Sequence, residues 1–210
     1  MKKLFAIGLM VAGSTLLGAT AAAQVRPFVQ AGIGNSQFWL MNAEGTKGRF
    51  AYYGGVGVEL PVKRTPLGIQ AALVVTSKGG DAPPTKNDNI ETYFNLIYLE
   101  MPLDVTYRTA IGEVWGLKLA GGPYFAYGIG GKTEVETPRL HTRYDSFSGI
   151  SPMRRFDAGL NAQLLFEYKR LFFGLNWDLG FVPIHEKERE LDNKTFPSNT
   201  STAITVGVYL

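Results

Sequence analysis

A recurring set of charged side chains sits inside otherwise apolar, alternating segments: Glu59, Glu100, Asp104, Arg108, Lys118, Arg155, Asp157, Glu167 and Asp178. Being mixed in sign, they can pair into an internal polar network or line a path for ions. Acyl transfer or hydrolysis would need something else, a Ser or Thr nucleophile oriented by a base and an acidic partner. The only histidines are His141 and His185, both in polar stretches, with Ser146, Ser148 and Ser151 close to the first in sequence. Serine is common in loops, so this proximity does not make a catalytic group, and the expectation is a protein that is not an enzyme. With no Cys, thiolate chemistry and disulfides are excluded. Asp81, Asp88 and Glu91 lack the calcium-loop spacing, and two histidines are too few for zinc, so neither a metal nor a cofactor is expected. GGPYFAYGIGGK is glycine-rich but has no helix after it, unlike a phosphate loop.

The elements that must position these charges are strands. FDAGLNAQLLFEY, Phe156 to Tyr168, is apolar at every even position and mostly polar or small at every odd one, Leu165 being the large exception. Side chains alternate between faces with period two only in a pleated chain, whereas helical spacing would mix Asp157 with Leu164 on one stripe. Seven further segments alternate in the same way: about Val25 to Gly34, Phe50 to Leu60, Leu67 to Lys78, Asn95 to Arg108, Val114 to Lys132, Leu171 to Ile184 and Ser201 to Leu210. Long polar connections follow the odd strands and short turns the even ones. An even number of strands with connections alternating long and short is the pattern of an outer-membrane barrel. The predicted fold is therefore all-β, an eight-stranded antiparallel up-and-down transmembrane β-barrel.

Composition agrees: 210 residues with 45% hydrophobic and 25 Gly suit one β-rich domain better than two. MKKLFAIGLMVAGSTLLGATAAAQ has a basic start, an apolar run and small residues at Ala21 and Ala23. These are the regions of a secretory signal peptide, predicted over residues 1–23 with cleavage after Ala23, leaving 24–210 as the barrel domain. The formal charge of +3 includes Lys2 and Lys3, so the mature chain is nearly balanced and gives no reason to expect nucleic-acid binding.

Parity assigns the faces. Leu99, Leu103, Leu160, Leu164, Leu175, Trp177 and Val206 fall on the face predicted to meet lipid, opposite the charged set. A one-residue slip would turn Asp157, Glu167, Asp178 or Lys118 into the bilayer, at about 2–4 kcal/mol for a midplane Lys or Arg and less for a carboxylate. Tyr107, Trp115, Tyr127 and Tyr168 lie near the strand ends, where amphipathic rings suit the headgroup belt. The lone Leu165 on the inner face fits a packed layer near the short-turn end.

Several motifs resemble a known family. NLIYLEMPLDVTYR is similar to the central YLE-I-P-L strand of the outer-membrane β-barrel, porin-family proteins common in Bacteroidetes, and LKLAGGPYFAYGIGGK resembles their next, G-P-Y strand. The stretch from Arg154 to Ile184 looks like their penultimate hairpin, and SKGG after the third strand also fits. The resemblance implies a fold and a place in the Gram-negative outer membrane, long loops outside, and no shared activity. The chain departs from it at the terminus, where Leu210 follows Tyr209 instead of an aromatic last residue.

An eight-stranded barrel is just wide enough for side chains to fill it. The predicted function is a small barrel with a structural or surface-interaction role and at most narrow solute or ion passage. The alternatives are a lipid-modifying outer-membrane enzyme, or an adhesin acting through its long loops. Arg139, His141, Arg143 and Tyr144 in the longest loop, Thr133 to Met153, are the residues predicted to meet an external protein or surface ligand. The other partners expected are outer-membrane lipids and the barrel insertion machinery.

Overall fold

A computed structural model describes residues 25–39, 47–82, 91–137, 140–148, 153–184 and 198–210. The signal-peptide segment, Asp88, Arg139, Ser151 and His185 lie outside the described residues.

The alternating segments form β1 (Arg26–Trp39), β2 (Arg49–Pro61), β3 (Leu67–Ala82), β4 (Glu91–Ile111), β5 (Trp115–Thr137), β6 (Leu140–Asp145), β7 (Phe156–Tyr168), β8 (Leu171–Gly180) and β9 (Ser198–Tyr209). Each pairs antiparallel with its neighbour. β1 takes β9 on one side, with Ile33 opposite Ile204, and β2 on the other, with Ile33 opposite Tyr52. The β4–β5 pairing completes the ring, so eight strands close into a barrel.

β6 is the short ninth strand that sequence reading placed inside a loop. It pairs only with the end of β5, from Lys132 opposite Asp145 to Thr137 opposite Leu140, past the point where β7 begins at Phe156 opposite Tyr127. β4 and β5, at 21 and 23 residues, are correspondingly longer than the 9–11 a tilted membrane strand needs. The end of β4 also keeps β3 beside it, Ser77–Ala82 opposite Thr92–Ile97, so a sheet of β4, β5 and β6 with the end of β3 at its edge projects past the rim at the long-loop end. His141, Arg143 and Tyr144 are on this strand rather than in an irregular loop, which corrects their assignment. The seventh alternating segment, by contrast, stops at Gly180, and Ile184 instead packs into an apolar cluster at the mouth.

Burial is inverted relative to a water-soluble protein. Trp177 and Ile204 are 61% and 63% exposed, whereas Glu59 and Lys118 are 2% and 1%. The residues predicted to face lipid do point outward: Leu103, Leu160, Leu164, Leu175, Trp177 and Val206 are exposed, and Leu99 is partly so. Leu165 points inward and is fully buried against a cluster that includes Phe28, Tyr53, Val74, Phe172 and Tyr209, five strands converging near the turn end. The break in the polar face is thus one wall of an apolar layer inside the barrel.

Candidate functional site in the barrel interior

Near the turn end, β2, β4, β5, β7 and β9 each send one polar side chain into the same volume. The Arg108 guanidinium lies 2.9 Å from Glu59 and 2.6 Å from Glu167. Lys118 lies 3.4 Å from Glu59 and donates to Gln70 at 2.8 Å. At their centre the Tyr209 hydroxyl donates to Glu167 at 2.7 Å while accepting from Arg108 at 2.9 Å and Lys118 at 2.8 Å. Two cations and two carboxylates share one hydroxyl, which makes the cluster neutral. The Lys118 ammonium also lies within cation–π distance of Phe28, Phe172 and Tyr209. The apolar layer around Leu165 is therefore also the low-dielectric wall against which these ion pairs strengthen.

A second cluster lies nearer the long loops. Lys78 is 2.5 Å from Glu100 and 3.7 Å from Asp157, and its ammonium sits 4.0 Å from the Tyr124 ring centroid. Asp157 also accepts from the Tyr124 hydroxyl and from Asn199, each at 3.2 Å. Between the clusters an amide ladder holds the other carboxylates. Asn161 and Ser201 donate to Asp178 at 2.6 and 2.9 Å, and Gln70 donates to Asp104 at 3.3 Å. Gln163 and Asn161 both donate to Asn176, and the Tyr53 hydroxyl is hydrogen-bonded to Thr205.

Of the predicted network, Glu59, Glu100, Asp104, Arg108, Lys118, Asp157, Glu167 and Asp178 meet inside the barrel. Arg155 does not. It lies just before β7, donates to the Gly128 carbonyl at 2.9 Å, and stacks its guanidinium 5.0 Å from the Phe147 ring centroid. Phe147, from the segment after β6, packs edge-on against Tyr98 and joins Phe38, Leu96, Met153 and Ile184 in an apolar cap at the mouth. Sequence reading missed Lys78 because it stands at the apparent end of an alternating run, although its even parity with Gln70, Val74 and Thr76 marks it as inward. Gln70, Asn161, Asn176 and Tyr209 were legible by the same parity but carry no charge to draw notice. His141 and Ser146 do not meet: His141 lies 2.6 Å from Glu136, while Ser146 is buried against the Thr133 hydroxyl.

What the arrangement defines is a closed membrane β-barrel whose interior is occupied by ion pairs, amides and rings. The model of the outer membrane protein beta-barrel domain matches residues 17–186, and the chain belongs to that family, so this is a transmembrane barrel of the outer membrane. No curated protein matches the sequence. Among solved structures, a major outer membrane protein from Thermus thermophilus is 12% identical with a TM-score of 0.50, covering 89% of this chain and 100% of that one. Ail, the attachment invasion locus protein of Yersinia pestis, solved with the heparin analogue sucrose octasulfate, is 12% identical over 89% of this chain and 98% of its own, with a TM-score of 0.43. Neisserial surface protein A is 8% identical over 88% and 97%, also at 0.43. At these identities the likeness is one of fold.

Proposed function

We propose that this protein is a surface-interaction barrel: its lumen is closed by the internal ion pairs, its long-loop end faces outside, and the sheet of β4, β5 and β6 is its contact element. The observation that carries this reading is the projecting sheet. Its exposed side chains are organised in cross-strand pairs, Glu134 with Arg143 at 3.0 Å and Glu136 with His141 at 2.6 Å, which keep a polar contact face rigid in water. Isolated exposed pairs add at most about 1 kcal/mol of stability, so the presence of two side by side fits presentation to a partner better than stabilisation. Within the family, the YLEMP and GGPY strands support placing the chain with the porin-family barrels of Bacteroidetes. In this reading it needs no cofactor, binds no nucleic acid and catalyses no reaction. Its other partners are outer-membrane lipids and the barrel insertion machinery.

The test is to shorten the projecting sheet by replacing residues 134–143 with a two-residue turn and to measure binding of whole cells to protein-coated and glycan-coated surfaces. Loss of binding with unchanged heat-modifiable mobility of the barrel is expected. Undiminished binding, or altered lipid composition on gene deletion, would instead favour a purely structural or a lipid-modifying protein.

A further inference from the structure

The wall of the barrel is interrupted between β2 and β3. Their ladder runs from Pro61 opposite Gly68 up to Tyr53 opposite Thr76 and stops there, although both strands continue. Above it, Arg49 to Tyr52 pair only with β1, and Ser77 to Ala82 only with β4. Among the described residues the two strands meet again at a single bridge, Lys47 with Asp81, where Asp81 N–H donates to the Lys47 carbonyl at 3.2 Å. Gly79 has the same parity as Asp81, so its N–H points toward β2. It is instead taken by the Ser36 hydroxyl of β1 at 3.0 Å. β3 has thus bent inward, at a glycine with φ of 147°, where a Cβ would strike the Phe94 carbonyl.

The gap holds a cavity of about 290 Å³ that crosses the wall. Ser36, Arg49 and Lys78 line its inner side, and Phe50, Tyr52 and Ser77 its outer side. Its lining is largely polar, so the space suits a polar headgroup better than an acyl chain. The charged side chains that line it are both cations. Lys78 is committed to Glu100 at 2.5 Å, whereas Arg49 is held more loosely, ion-paired with Asp81 at 3.7 Å and set over the Tyr93 ring at 5.7 Å. Counting from the short turns, Tyr52 and Ser77 are nine and ten residues up their strands, the length a tilted strand needs to cross the hydrocarbon. The gap therefore opens at headgroup level, the one depth at which an interrupted ladder can face lipid without stranding backbone groups in oil.

We propose that this notch is a lipid-binding site, taking the phosphate of an outer-leaflet lipid against Arg49 and the Ser77 hydroxyl, which otherwise reaches Asn95 at 3.5 Å, while the acyl chain lies outside along Phe50 and Tyr52. The leaflet assignment rests on the orientation proposed above; the notch itself does not. Native mass spectrometry of the folded barrel in a maltoside detergent tests it, with diphosphoryl lipid A, phosphatidylglycerol and a phosphate-free galactosyl diacylglycerol added in turn. One lipid should remain bound for either phosphorylated lipid and none for the galactolipid. R49Q should lower occupancy about tenfold, the loss of one charge-assisted contact. S77F, which fills the notch, should abolish it, while R143Q on the projecting sheet changes nothing. Equal retention of the galactolipid, or wild-type occupancy in R49Q, overturns the site, and R49Q alone decides if S77F does not fold. Labelling of R143C on intact cells by an impermeant maleimide reads the orientation independently. Lipid binding without labelling would keep the site and move it to the other leaflet.

Discussion

Individual residues in this barrel divide by parity into those that must find a partner and those that must avoid one. Lys78 is the sharpest case, since its ammonium stands between Glu100 and Asp157 with almost no contact to solvent. K78M leaves two buried carboxylates facing each other and should cost about 3–5 kcal/mol, as expected for breaking a buried pair from one side. K78M/E100Q should recover part of that loss; urea titration of the barrel in detergent, followed by tryptophan fluorescence, measures both. Leu165 provides an apolar counterpart. L165A opens a cavity among Phe28, Phe172 and Tyr209 and should cost about 2–5 kcal/mol. L164A, one residue away but facing lipid, should cost less because a mobile acyl chain refills the space; equal losses would refute the inward assignment of Leu165. Leu164 and Leu165 were legible in the sequence through position alone, whereas Lys78, at the end of its alternating run, was passed over. Arg155 was not legible, because parity ceases to apply just outside a strand, and there its guanidinium found a ring and a carbonyl instead of a carboxylate.

At the level of elements, period two was enough to find every strand of the barrel, and for β7 both ends. It works where one face meets hydrocarbon and the other a polar interior. It fails beyond the rim, where no face meets hydrocarbon and no alternation is required: TEVET at the end of β5 and LHTRYD in β6 read as loop for that reason. The interruption between β2 and β3 was equally hidden, since a missing ladder leaves each strand's own alternation intact. The depth of the lipid-facing band is testable on a single hairpin. L164R, which pairs with Leu119 and Leu175 at the middle of the wall, should destabilise the barrel by about 2–4 kcal/mol. F181R, just past the end of β8, should cost about 0–1 kcal/mol. Folding into vesicles at graded urea concentrations separates the two, and similar penalties would mean that the apolar band has been placed at the wrong height.

The molecule as a whole is a polar interior inside an apolar wall, and its buried acidic groups outnumber its basic ones. Among the described residues, Glu59, Glu100, Asp104, Asp157, Glu167 and Asp178 are buried with Lys78 and Lys118, and the partly buried Arg108, beside them. The turn-end cluster is neutral; the surplus carboxylates lie above it, held by Asn161, Ser201, Gln70 and Asn199. The proposed closure of the lumen near the turn end therefore depends on Arg108 and Lys118 drawing Glu59, Glu167 and Tyr209 together. In planar bilayers the wild-type barrel should show no stable conducting steps. In R108S/K118A the two cations and much of their bulk are gone, and the carboxylates they held repel one another toward the walls. A path opened in this way passes more carboxylates than cations, so the variant should conduct and should prefer cations, with a reversal potential in a KCl gradient displaced toward the potassium equilibrium value. E59Q/E167Q, which removes the opposite half of the same cluster, should conduct with weaker cation preference or stay closed. Anion preference in R108S/K118A would show that the surplus carboxylates do not face the open path, and large steps in the wild type would show that the ion pairs do not close it.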